Sequence, residues 1–260
     1  MQIDEVLNKV VAGELPLISP GWGQGRTTFG GLTAAILCQK MQNEVELDRN
    51  LRSFEINFVR PFEALKPYSV EVQTLANGRT ATIKRAYLTQ DKKLKATATA
   101  HFLLQIDSKV TISHFIAPDM KSVDDSIVLQ GDDLPELFQH FDVRAATDAL
   151  PFSAKQVPEL GGWVRFKEAP SKITDAHLVC MIDAWPPTAS THYDGFLPLS
   201  TISWTIHFTL PSNSLDPKAH IGYHSRINFA EHGLSSSTAE VWDQHGNLLA
   251  NSTQTNIIYG

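Results

Sequence analysis

Apolar and polar positions alternate along this chain in a pattern that occurs twice. Ser53-Phe54-Glu55-Ile56-Asn57-Phe58-Val59-Arg60-Pro61 returns as Ser203-Trp204-Thr205-Ile206-His207-Phe208-Thr209-Leu210-Pro211, with Ser, Ile, Phe and Pro matching at four fixed offsets. Runs of period-two alternation rich in β-branched residues follow both copies. They are YSVEVQTL, TATIKRAYL and KLKATATAHFLL after the first, and HIGYHSRINFA, SSSTAEVWD and NLLANSTQTNII after the second. Such runs predict strands. Asn77-Gly78, Asp91-Lys92, His232-Gly233 and His245-Gly246 supply the turns between them.

A helical stretch precedes each copy, at about 29–43 and 174–184. The first carries Leu32, Ala34, Ala35, Ile36, Leu37 and Cys38, so it is apolar on nearly every side. A helix of that kind is buried rather than laid on a surface. Thr174 or Asp175 caps the second, and Pro186 stops it. Each half therefore reads as a helix followed by four antiparallel strands. The fold class is α+β: two helix-wrapped antiparallel sheets joined in one chain. The expected division is an N-terminal unit over 1–106, a connector over 107–135 and a C-terminal unit over 136–260.

The stretch from about 107 to 160 is acidic and holds Pro118, Asp124-Asp125, Asp132-Asp133 and Pro135. It reads as a long crossover with a short helix near 133–140, capped by Asp133 and with Pro135 in its first turn. FDVRAAT and GWVRFKEA are candidates for further strands before the second helix.

The repeat breaks its symmetry at polar positions. Superposed on Leu94 and Leu248, one strand face reads Leu94, Ala96, Ala98, Ala100, Phe102 in the first half and Leu248, Ala250, Ser252, Gln254, Asn256 in the second. Gln254 thus replaces an alanine on a face that meets the core. Superposition on the Ser-x-x-Ile-x-Phe repeat sets Thr201 opposite Leu51. If Cys38 matches Cys180, Asp183 falls opposite Met41. The second half gains a carboxylate, a hydroxyl and an amide where the first half is apolar. A buried polar group without a partner costs on the order of 1–3 kcal/mol, and a charge costs more. Asp183 also ends a helix, where the macrodipole disfavours an anion. Three groups bonded to one another, or to a shared water, would recover that cost and form a catalytic site. Taken singly, an Asp after a helix is an ordinary loop residue, a Thr suits any strand, and a Gln near a terminus suits a surface.

Composition narrows the function classes. The chain has 260 residues, 42% hydrophobic and 19% charged, as in folded globular proteins. The net charge of −6 comes without a basic block, so nucleic acid is not an expected partner. No apolar run reaches the roughly 18 residues that span a bilayer. MQIDEVLNKVVAGELP has no continuous apolar core and does not read as a secretory signal. Cys38 and Cys180 sit in apolar stretches and read as buried free thiols of a reducing compartment, so a cytoplasmic location is expected. Gly21-Trp22-Gly23-Gln24-Gly25 lacks GxGxxG spacing and reads as a mobile loop at a substrate entrance. GxSxG, HExxH and cysteine-rich metal patterns are absent, and the ten histidines are scattered. Neither a metal nor a cofactor is expected.

Three pieces carry a family resemblance: Phe29-Gly30-Gly31 opening the first helix, SFxxxFxRP at 53–61, and Ser200-Thr201 leading into His207-Phe208. Together with the Gln-bearing last strand, they make the chain resemble acyl-CoA thioesterase II and its relatives in the thioesterase superfamily. The resemblance covers most of both halves and is weakest in the connector. It implies a double hotdog fold and an acyl-CoA substrate. It also implies a catalytic set of an Asp after the second helix, a Thr or Ser opening the next strand, and a Gln in the last strand. These positions are Asp183, Thr201 and Gln254, the residues that the broken repeat also selects. Phe29, Gly30, Gly31 and Arg60 are the expected substrate contacts: backbone N–H groups of the two glycines, which let a substrate approach closely, would serve the developing oxyanion, and Arg60, like Arg26, Lys84 and Arg85, is a candidate for the CoA phosphates. Arg52 departs from the family pattern, in which some members carry His. Asp194 in HYDGFLP is a second candidate for the carboxylate. Hydration or dehydration of an acyl-CoA remains as an alternative on this fold, although no Asp-x4-His motif supports it. Non-catalytic acyl-CoA binding is another alternative. A homodimer is expected by analogy.

Overall fold

The computed structural model describes all residues except 113, 114, 132, 133, 196, 210, 211 and 260. The cap expected at Asp133, and Leu210 and Pro211 of the second repeat copy, lie outside the described residues. Three α-helices occur among the described residues. Helix α1 (Ile3–Val11) was not foreseen. Its buried Ile3, Val6, Leu7 and Val10 follow the i, i+3, i+4, i+7 spacing of a one-faced helix. The Asp4 carboxylate ties it to the body, accepting the Ser171 backbone N–H at 2.8 Å and facing His177 Nε2 at 2.9 Å. Helix α2 (Gly30–Gln42) is buried at ten of its thirteen positions, as its all-round apolar character requires. Helix α3 (Asp175–Ile182) starts after Thr174, which takes the N-cap position. It ends four residues before Pro186.

Gly21–Gly25, expected as a mobile loop at a substrate entrance, holds regular structure at most of its positions. A 3-10 turn at Pro20–Trp22 leads into a small hairpin of β1 (Gly23–Gln24) and β2 (Thr27–Thr28), with Gly25 at φ +63° in its turn. Trp22 is fully buried and stacks on His140 with ring centroids 3.8 Å apart, which pins the hairpin to the body.

The strands after the first repeat copy begin with the copy itself: β3 (Arg49–Phe58), β4 (Ser69–Asn77), β5 (Ala81–Gln90) and β6 (Lys93–Leu104). The connector adds β7 (Ile127–Val128), β8 (Phe141–Ala145) and β9 (Glu159–Phe166). The last two are the additional strands expected before the second helix. The short helix expected near 133–140 is a single 3-10 turn, Glu136–Gln139, with Pro135 just outside it rather than in its first turn. The second repeat gives β10 (Leu199–Phe208), β11 (Ile221–Glu231), β12 (Leu234–Trp242) and β13 (Leu248–Ile258). All four expected turns join strands. Asp91-Lys92 and His232-Gly233 use consecutive positive φ angles, as tight hairpins of twisted strands demand.

These strands form one antiparallel sheet in the order β4-β5-β6-β3-β10-β13-β12-β11-β9-β8-β7. The halves meet where β3 pairs with β10 and Glu55 stands opposite Thr205. Those residues are 150 positions apart, which is the spacing of the repeat, so a local two-fold runs through that pair. The double hotdog architecture expected of the chain is the one observed. Among the described residues, no helix is long and apolar enough to cross a membrane. Cys38 and Cys180 are free and buried.

Both central strands carry a one-residue bulge at the same repeat position. In β3 the register passes from Leu51↔Phe102 to Ser53↔His101 and skips Arg52. In β10 it passes from Thr201↔Asn256 to Ser203↔Thr255 and skips Ile202. A bulge shifts the side-chain alternation by one. Leu51 therefore shares a face with Phe54, and Thr201 with Trp204, although each pair is three residues apart.

Helices α2 and α3 run antiparallel on the inner face. Gln42 Nε2 donates to Asp175 Oδ2 at 3.1 Å at one end. At the other, Gly31 lies against the Cys180 carbonyl. A Cβ on Gly31 would sit 2.8 Å from that oxygen and 2.5 Å from the Phe29 ring. Gly31→Ala must therefore push the helices apart at a cost of about 1–3 kcal/mol. Thermal unfolding should show a Tm lower by roughly 3–10 °C. An unchanged Tm would mean that the helices have slack at this contact.

Candidate active site

Asp183 follows the last residue of α3, in the C-cap position. An anion at a helix C-terminus is disfavoured when only that helix is considered. The antiparallel packing changes the balance by bringing the N-terminus of α2 to the same place. That terminus lacks a side-chain cap, because Phe29 occupies the N-cap position. The Asp183 carboxylate takes the role instead, accepting the Gly31 backbone N–H. It also accepts Gln254 Nε2 on Oδ1 at 2.9 Å. A Cβ on Gly30 would lie 2.7 Å from Asp183 Oδ2 and 3.3 Å from the Phe58 ring. Glycine at position 30 is thus what leaves room for the carboxylate.

Asp183 keeps partial solvent access. Burial nonetheless pushes its carboxyl up to about 7, against the opposing effect of the hydrogen bonds from Gln254 and Gly31. A group that ionises near neutrality can take up a proton and release it again under ordinary conditions.

Gln254 is 7% exposed, stands opposite Trp204 and shares a face of β13 with Asn256, two residues on. Thr201 lies opposite Asn256 and donates its hydroxyl proton to Asn256 Oδ1 at 2.9 Å. The observed bonds therefore form two pairs, Asp183–Gln254 and Thr201–Asn256, side by side on one face of β10 and β13. Asn256 was not among the expected site residues. Its signal was nevertheless present, because it stands where the first half has Phe102 in the row that yielded Gln254.

The other expected positions have different surroundings. The Phe29 ring is fully buried, 6.4 Å from Trp22 and 5.8 Å from Phe141 between centroids. Its backbone N–H donates to the Trp22 carbonyl at 2.8 Å, so the residue anchors the start of α2. Arg60 is exposed beyond the end of β3 and donates to the Leu94 carbonyl at 3.1 Å. Arg52 donates to the Thr209 carbonyl at 2.9 Å. Asp194, the second carboxylate candidate, is exposed. Among the described residues, no group of three or more His, Cys, Asp or Glu could hold a metal ion. Clefts of about 480 and 260 Å³ around Asp216 and His220 share no lining residue with the Asp183 cluster.

Comparison with known proteins agrees with this architecture. The chain matches the acyl-CoA thioesterase N-terminal domain over residues 18–103 and the acyl-CoA thioesterase C-terminal domain over residues 117–258. No curated protein sequence matches it. Among solved structures, a conserved protein of unknown function with a hot dog fold from Alicyclobacillus acidocaldarius superposes with a TM-score of 0.84 at 21% identity, covering 93% of this chain and 91% of that one. Acyl-CoA thioesterase II TesB2 from Mycobacterium marinum gives 0.75 at 19% identity, covering 99% and 98%. The tesB protein of Mycobacterium avium subs paratuberculosis gives 0.78 at 17% identity over the whole of both chains. At these identities the structures speak for the fold, and the two domain matches carry the assignment: the chain belongs to the acyl-CoA thioesterase family and is a thioester hydrolase.

Proposed function

We propose that this protein hydrolyses fatty acyl-CoA thioesters with a water held by Asp183, Thr201 and Gln254. The observation that carries the reading is Asp183 itself, a carboxylate set at a helix N-terminus, bonded to Gln254 and raised to about 7. An ordinary Asp is too weak a base for this work, and one poised near neutrality suits it. The water oxygen bonds to the thioester carbonyl carbon while one of its protons passes to Asp183. The carbon–sulfur bond then breaks with its electron pair on the CoA sulfur. That sulfur leaves as a thiolate or takes the proton back from Asp183, so no separate strong acid is needed.

The start of α2 serves the developing oxyanion. The Gly31 N–H is engaged by Asp183, which leaves the Gly30 N–H as the donor for the substrate oxygen. Phe29 and Gly31 hold that terminus in place. Arg60, exposed and with its side chain bonded to the Leu94 carbonyl, is the residue offered to CoA phosphate. The acyl chain runs along the apolar helices.

Asp183→Asn should lower thiol release from acyl-CoA by about a hundredfold or more. Near-normal turnover in a folded variant would remove Asp183 from the mechanism. The wild-type kcat/KM should rise with pH through about 7, because the base must be deprotonated. A flat profile between pH 5 and 8 would contradict this.

The same group makes stability depend on pH. Its folded pKa lies above the unfolded value of about 3.9, so the native state holds the proton more tightly between those values. Stability is lost as pH rises through that window. Asp183→Asn removes the effect, so the Tm of the variant relative to wild type should climb from pH 5 to pH 8, corresponding to about 2–3 kcal/mol. A constant difference would show that the carboxyl titrates normally.

A further inference from the structure

We infer that Asn256 is a positioning residue that fixes the direction of the Thr201 hydroxyl and so makes the water pocket a set of acceptors only. The inference rests on the water-holding reading given above. Asn256 is 1% exposed, on the inner face of β13. A buried amide is costly to leave unpaired, so its partner matters. The equivalent cross-strand pair in the first half is Leu51–Phe102, wholly apolar. The amide thus appears only in the half where the hydroxyl appears. The bulge at Ile202 turns Thr201 onto the face where the two meet.

The direction of the bond matters more than its presence. A threonine hydroxyl has one proton to give. Thr201 gives it to Asn256 Oδ1, so its oxygen can only accept from any water on its other side. Gln254 has likewise turned its amide N–H toward Asp183, which leaves its carbonyl oxygen free to accept. Asp183, when ionised, is itself an acceptor. A water among these three groups donates both protons to protein oxygens and points its lone pairs away from them, toward a thioester carbonyl carbon. With the Thr201 proton released from Asn256, the hydroxyl could instead donate to the water and occupy the lone pair that has to attack.

The test is a double-mutant cycle on Thr201 and Asn256, read as steady-state thiol release, with thermal melts to confirm folding. Asn256→Leu should lower kcat about tenfold, with KM within about twofold and the pH midpoint unchanged. In a Thr201→Val background it should produce no further loss, because its effect passes through the hydroxyl. Losses that multiply in the double variant would overturn the inference, as would full activity in Asn256→Leu beside an impaired Thr201→Val. Full activity in Thr201→Val would instead sink the water-holding reading. Should Asn256→Leu fail to fold, Asn256→Asp keeps shape and acceptor. It should retain turnover within about threefold at high pH and raise the pH midpoint, because a second carboxylate on the same sheet face makes Asp183 harder to ionise. A tenfold loss at every pH would refute the role.

Discussion

The site depends on two helix ends of opposite polarity meeting at one carboxylate. Asp183 closes α3, whose terminal carbonyls repel it, and stands at the open end of α2, whose free N–H groups attract it. The arrangement requires the helices to lie antiparallel and close, and Gly30 and Gly31 allow the closeness. A side chain at either position would displace the carboxylate or separate the helices. The sheet adds Gln254 from below, so one anion is held by three elements distant in sequence. Burial without full neutralisation follows, and with it an acid that changes state near neutral pH.

The internal repeat lets the cost of these polar groups be seen against a control within the same molecule. Where the second half has Thr201, Gln254 and Asn256, the first has Leu51, Ala100 and Phe102 on the same face of equivalent strands. The polar groups of this face have partners close by. Asp183 has Gln254, Thr201 has Asn256, and Trp204 Nε1 donates to Ser252 Oγ at 3.1 Å. The first half keeps the apolar version and the packing that comes with it. One half thus keeps an apolar face where the other gathers buried polar groups.

Much of this was legible in the residues. Period-two runs and turn dipeptides mark the strands of both halves, and the broken repeat singles out Asp183, Thr201 and Gln254, of which the fold joins Asp183 to Gln254 and Thr201 to Asn256. The misses have physical reasons. The capping of α2 by Asp183 joins residues more than 150 positions apart, beyond the reach of a local pattern. Trp22 looked like part of a loop because its stacking partner, His140, is also far away in sequence. Two features left a trace that went unread. The buried stripe of α1 has ordinary helical spacing, and the bulges interrupt the alternation, since Leu51 and Phe54 face the same way while three residues apart. Asn256 was visible in the polar row, but its partnership with Thr201 depends on that interruption.

The extra residue in β10 gives the strand a tolerance of length at one point. Ile202 lies between Thr201 and Ser203 and has no partner of its own in the ladder with β13. Its chemistry is therefore loosely specified, and other side chains can stand there. Removing it would restore regular alternation, because Thr201 would then stand two residues from Trp204 and stay on the same face. A change of side chain at this point is absorbed, and so is the loss of the unpaired residue itself, since the pairs on either side already follow one another along β13. Variation among related chains at this point should consequently include both substitution and loss of the unpaired residue.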